Sequence, residues 1–336
     1  MPQAFNSRHD SRYMKLVNWL LEEDQPSVRY HTLVDLLERR EDDPEVRDAY
    51  SRIPRIGWAR DILKLQKPKG FWESHGPTNA LEWLNFLRVP EYVATTWRAI
   101  VLSDMGLTSR DPRIRKIADC FFEYKLKLGT MINIFNEEVC YVGNTARMMT
   151  RFGYGDDYRV KKLYDWLIED QRDDGGWNCS QGTPGTLDSW EALAAFAAMP
   201  KSKRSGRIER SVTRGAEFYL ERRLFQEGRK YAPWLRFHYP NHIYYDILVG
   251  LDMITKLGFA DDRAPRRKWN MFNCIRTGIK RPDAGPAEDM AACSFPCSNE
   301  DGGGPPGAAM QVEAPNHRKL LWSKAMVVSV TGKGPA

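Results

Sequence analysis

With 336 residues, 42% of them hydrophobic and 11 of them tryptophan, the chain has ample material for one large core or two average ones. Its net charge of +6 comes from 50 basic and 44 acidic side chains that interleave. No clustered basic face marks a nucleic-acid binder, while an anionic small molecule or peripheral contact with an anionic membrane surface suits the mild positive balance. Six scattered cysteines are too few for a disulfide scaffold, and no apolar stretch is long enough for a membrane-spanning helix, so a reducing cytoplasm is the expected compartment.

Residues 1–27 read as an N-terminal extension whose apolar run, Leu16 to Leu21, is too short and interrupted for a signal peptide. Pro26 and Ser27 then open a helix with Val28, Leu33, Val34, Leu36 and Leu37 on one stripe. Asp42, Asp43 and Pro44 break it and start a second helix through Tyr50. Further helices are expected from Trp58 to Gln66, Thr78 to Leu87, Tyr92 to Met105, Arg113 to Leu126 and Glu138 to Phe152. The pattern continues through Arg159 to Gln171, Thr186 to Met199, Ile208 to Leu224 and His242 to Leu257. Short loops, helical periodicity and almost no alternating strand pattern predict an all-α protein. From Ala284 to Ala314 glycine, alanine, proline and cysteine dominate, which reads as a long loop, and His317 to Val330 returns to a helical pattern.

An internal repeat organises this series. Gln171, Gly175, Gly176 and Trp177 stand 105 residues after Gln66, Gly70, Phe71 and Trp72, and a worn copy follows from Lys280 to Gly285. Glycine can take positive φ and end a helix, glutamine can tie a turn to neighbouring helix ends, and tryptophan offers a large packing face. Glutamine, glycine and tryptophan at one fixed spacing resemble the QW-type repeats of the terpenoid cyclase and protein prenyltransferase superfamily. The resemblance runs from residue 28 to about 283, with a closing helix and tail in 315–336. It implies a single-domain α/α toroid: a ring of helical hairpins with inner and outer helices.

The resemblance also says where chemistry would sit, and this chain departs from both of the superfamily's devices. Cyclases that protonate an alkene or epoxide do so with a D-x-D-D motif, and the helix segment Tyr92 to Trp97 that looks like that position carries no acid. Protein prenyltransferases hold zinc through a D-x-C pair and a distant histidine. Asp188 and His242 match two of these by position, but Trp190 stands where the cysteine would be, with Cys179 nearby. Cys293 and Cys297 lack a second pair, so no cofactor is expected.

The stretch from Tyr231 to Asp246 is the richest in functional side chains. It places Trp234, Tyr239 and Tyr245 among His238, His242 and Asp246. With Asn241 as the N-cap, His242 and Asp246 fall four residues apart on one helical face, where the carboxylate could tune the imidazole. The candidate catalytic residues are therefore His242, Asp246, Asp188 and His238. Trp97, Trp190, Trp234, Tyr239 and Tyr245 would line a cavity for an isoprenoid or other lipid-like molecule, although the same rings would also serve an ordinary core. Cyclase-like or prenyltransferase-like catalysis, a zinc-dependent prenyltransferase-like enzyme, and a binding scaffold that kept the ring are the readings this leaves open.

Overall fold

Helices are the only extended elements among the described residues of the computed structural model, which are 11–75, 94–124, 138–179, 185–222, 224, 239–241 and 245–259. The all-α expectation holds for them, and all of them lie in one compact unit. The expected helix at 78–87, the worn repeat at 280–285, the stretch 284–314 and the closing segment 315–336 fall outside the described residues.

The first helix, α1 (Ser11–Leu20), lies within the N-terminal extension and buries Val17 and Leu20. Next, α2 (Pro26–His31) starts on its proline and widens into a π turn over Thr32–Leu36. Asp43 caps α3 (Pro44–Arg52), its carboxylate accepting from the Glu45 amide at 2.8 Å. After α4 (Gly57–Lys64) come α5 (Thr95–Asp104) and α6 (Pro112–Tyr124). Then α7 (Val139–Met149) also runs into a π turn, where Gly153 takes φ 100°. Asp157 caps α8 (Tyr158–Glu169), α9 spans Thr186–Ala198, Ser205 caps α10 (Gly206–Glu221), and Asp246 caps α11 (Ile247–Leu257). In each of these caps a side-chain oxygen satisfies an amide that the first helical turn leaves unbonded.

Two kinds of helix alternate. Nearly all residues of α5 and α7 are buried, and α11 buries most of its own. By contrast α4, α6, α8 and α10 are amphipathic, with charged outer faces. The buried helices are neighbours in chain order: α5 packs on α7, α7 on α9, and α9 on α11. The amphipathic α8 covers α7, and α10 covers α9. The buried helices α7 and α9 approach closely, and a Cβ on Gly143 would stand 2.7 Å from the Glu191 carbonyl. Glycine there lets the two backbones meet.

Both copies of the repeat are built by the same hydrogen bonds. Gln66 Nε2 donates to the Gly70 carbonyl at 3.2 Å and to the Arg113 carbonyl at 3.0 Å. Gln171 Nε2 donates to the Gly175 carbonyl at 2.8 Å and to the Ser211 carbonyl at 2.9 Å. Each tryptophan indole donates to a carbonyl near the end of the preceding helix, Trp72 to Ile62 at 2.8 Å and Trp177 to Leu167 at 2.7 Å. Each tryptophan amide donates to a hydroxyl near the start of the following buried helix, Trp72 to Thr95 and Trp177 to Ser189. The repeat is thus a three-way tie between an amphipathic helix, the next buried helix and the next amphipathic helix.

Candidate functional site

A pocket opens between α7, α9 and α11. Arg147 and Arg151 reach it from the α7 segment, Trp190 and Ala194 from α9, and Asp252 and Lys256 from α11. Asn241 and Asp246 border it where the chain enters α11. Its free space is about 30 Å³.

The charges here are mostly paired. Arg151 Nη1 donates to Asp104 on α5, and Lys256 donates to Asp252 one turn back at 2.8 Å. Asp246 is wholly buried and its Oδ1 accepts from the Val249 amide at 2.9 Å. Arg147 stands apart. Its guanidinium lies over the Trp190 ring at 5.1 Å and its Nη2 donates to the Asn241 carbonyl at 3.1 Å. Its Nε is buried with no hydrogen-bond partner among the described residues, and burial pushes its pKa down to about 10, so it stays charged at neutral pH.

A second polar cluster lies between the entry to α7 and the entry to α9. The Cys140 amide donates to Cys179 Sγ at 3.4 Å. Asp188 lies within hydrogen-bonding reach of Cys179, and its carboxyl is raised above the usual range by burial, which that contact partly offsets. Glu191 is 1% exposed, and among the described residues neither of its carboxyl oxygens has a hydrogen-bond partner. Burial raises its pKa well above the model-compound value of 4.5, and nearby Cys179 and Asp188 raise it further. Burial that favours the neutral carboxyl suits a proton donor, but Glu191 is not among the residues lining the pocket.

The sign of this shift gives a testable result. A raised folded-state pKa means that Glu191 contributes stability below its unfolded pKa and loses it as pH rises through the folded value. Glu191→Gln should therefore make the protein more stable than the wild type at neutral and alkaline pH, with the advantage vanishing below about pH 4.5. Urea midpoints measured from pH 4 to 9 check this. A wild-type advantage at pH 8 would mean that Glu191 is ionised and paired.

The structure brings only some of the sequence candidates together. Trp190 and Asp246 share the pocket, and Tyr239, 5% exposed, lies within electrostatic reach of Arg147 and Arg151. Tyr245 is packed away from it, its ring 5.9 Å from that of Tyr219 and its hydroxyl donating to the Leu224 carbonyl at 3.3 Å. Trp97 is buried on α5 and Asp188 belongs to the second cluster; neither lines the pocket. His238, His242 and Trp234 lie outside the described residues.

The expected geometry of the last helix needs correction. It starts at Ile247 and not at His242, and its N-cap is Asp246, with φ −137° and ψ 167°, and not Asn241. Both residue types cap well. The four-residue helical spacing from His242 to Asp246 is therefore absent, because Tyr245 and Asp246 precede the helix. Asp246 accepts from the Val249 amide in the first turn of the helix.

Sequence reading missed Arg147 and Glu191. The available signal was a charged residue in an otherwise apolar helical stretch, VCYVGNTARMM for the first and SWEALAAFAA for the second. Asp188 and Cys179 do meet, as a metal pair would require, but among the described residues no group of three or more His, Cys, Asp or Glu converges as a metal site. No described helix is long and apolar enough to cross a membrane. Comparison with protein-family models, curated proteins and solved structures finds no match for this chain.

Proposed function

We propose that the chain is an α/α toroid of the terpenoid cyclase and prenyltransferase kind that holds an isoprenoid or lipid-like molecule among its inner helices. The observation that carries this reading is the paired repeat, in which Gln66, Gly70 and Trp72 make the same ties as Gln171, Gly175 and Trp177. The alternation of buried and amphipathic helices supports inner and outer layers. Two contacts between distant segments support closure into a ring. Trp58 on α4 meets Tyr239 with ring centroids 5.8 Å apart, and Lys256 on α11 lies within electrostatic reach of Asp35 beside α2. The pocket lies among the proposed inner helices with Trp190 and Met253 buried beside it, and its free space of about 30 Å³ would have to widen to take a hydrocarbon ligand. Each Å² of hydrocarbon buried there would contribute about 25 cal/mol.

Native mass spectrometry of the purified chain with added farnesol tests the reading, and a one-to-one complex is the expected result. No complex with farnesol or with longer polyprenols would leave a toroidal scaffold that binds no such ligand.

A further inference from the structure

We propose that the first repeat turn, with the end of α4 before it and Lys116 of α6 beside it, is a docking surface for an anionic lipid bilayer. The inference goes beyond the proposed function and needs neither the pocket nor a closed ring.

The two copies of the repeat share a backbone but not a charge. Gly70 donates its amide to the Lys67 carbonyl at 2.9 Å, as Gly175 does to the Arg172 carbonyl at 3.0 Å. Each glycine lies against the backbone of a basic residue, Lys116 on α6 for the first and Arg214 on α10 for the second. At the spacing of 105 residues, Lys64, Leu65, Lys67, Pro68 and Lys69 stand where the second copy has Glu169, Asp170, Arg172, Asp173 and Asp174. In the second copy the charges answer each other: Arg222 pairs with Asp174 at 3.3 Å, and Arg207 lies 3.8 Å from Glu169. In the first, Lys64, Lys67, Lys69 and Lys116 are all exposed, and among the described residues none of the four side chains has an ion pair or hydrogen bond. Described acids on the same elements are engaged elsewhere. Asp61 pairs with Arg60, Asp111 with Arg113, and Glu73 accepts from the Trp72 and Thr95 amides. Asp119 lies within electrostatic reach of Arg159 on α8.

The residue types select the partner. All four unpaired cations are lysines, flexible point charges suited to a diffuse field of headgroups, whereas recognition of a single carboxylate or phosphate favours the planar fork of arginine. Leu65, 54% exposed, stands among them. An acidic peptide would offer its carboxylates to the lysines and leave that leucine in water. A bilayer takes both, with the lysines at the headgroups and the leucine at the acyl boundary. Each lysine at an anionic leaflet strengthens binding by roughly fivefold, so the patch provides reversible, salt-sensitive attachment. The acid-rich second turn would be repelled by the same surface, so the chain would dock through its first repeat.

Co-sedimentation of the full chain with vesicles tests this, using phosphatidylcholine alone and phosphatidylcholine with about one phosphatidylserine in three lipids. The chain should partition at least tenfold more strongly onto the anionic vesicles at about 0.1 M salt, and that preference should vanish by about 0.5 M. Lys64→Gln, Lys67→Gln and Lys69→Gln combined should lower binding at least tenfold. These side chains are exposed, so the variant should fold as the wild type does. Leu65→Ser should weaken binding about threefold. Arg172→Gln, Lys201→Gln and Arg210→Gln combined remove the same charge from exposed positions elsewhere and should leave binding within about twofold. Equal losses in the two triple variants would show that net charge and not the patch draws the chain to lipid, and would overturn the proposal. No preference for anionic vesicles would overturn it too. Capture by polyglutamate without binding to vesicles would likewise overturn it and assign the patch to an acidic peptide.

Discussion

Trp177→Ala should lower the unfolding free energy by about 3–5 kcal/mol, the cost of deleting a fully buried indole. Trp177 is 0% exposed, and its ring lies 6.3 Å from that of Phe196 on α9 and against Gly215 on α10. A Cβ on Gly215 would come within 2.9 Å of the indole, so the glycine leaves the space that the ring fills. The indole N–H also satisfies the Leu167 carbonyl at the end of α8, which the variant leaves without that donor. Loss of one side chain therefore loosens three helices at once. A urea titration followed by circular dichroism measures the effect. A midpoint within error of the wild type would show that the repeat tryptophan does not tie these helices together.

Gly175→Ala is the second large effect, on the order of 4 kcal/mol, from two separate causes. The residue has φ 89°, in the left-handed region that a side chain disfavours by about 1–2 kcal/mol. A Cβ there would also stand 2.4 Å from the Arg214 carbonyl oxygen. That oxygen belongs to the backbone of α10 and cannot swing aside, so relief requires moving the helix, a strain of about 1–3 kcal/mol. Gly258→Ala separates the two causes. Gly258 has a similar φ of 95° with nothing among the described residues within 4 Å of its added Cβ, so its variant should carry the conformational cost alone. Equal losses in the two variants would show that the turn and α10 do not press on each other. Gly70, whose Cβ would meet the Lys116 carbonyl at 2.5 Å, should behave as Gly175 does.

These effects also explain what could be read in the sequence. Gln171, Gly175 and Trp177 are each demanded by a local geometry that few other residues satisfy: an amide with two donors for two carbonyls, a positive φ under a neighbouring helix, and a ring large enough to fill the gap. Such positions announce themselves by residue type. The helices follow from periodicity, and α3, α8 and α9 begin within a residue or so of where the pattern places them. The start of α11 was not legible, since Asn241 and Asp246 are equally good caps. Only packing shows that Tyr245 is held against Tyr219 before the helix begins.

The pocket was less legible still. Arg147 and Trp190 belong to different helices, and nothing in either segment says that they will meet. Their meeting depends on Gly143, which sets how closely α7 approaches α9. The aromatic stretch before α11 drew attention by composition, whereas the charged groups that define the pocket are single residues in apolar helices. A buried charge in such a helix is the better guide, because its solvation cost requires a partner or a purpose.

The contact between Trp58 and Tyr239 bears on the order in which the protein is made. A chain synthesised from its N-terminus completes the ties of Gln66 as soon as α6 has emerged, and those of Gln171 once α10 has emerged. Each spans 40 to 47 residues, far fewer than separate Trp58 from Tyr239, and can form while translation continues. Trp58, however, has to wait for a residue made near the end of the described chain. Until then the first hairpins hold a half-finished surface, the state in which nascent chains are most exposed to aggregation and to chaperones. This contact is therefore made late, after both sets of repeat ties can form.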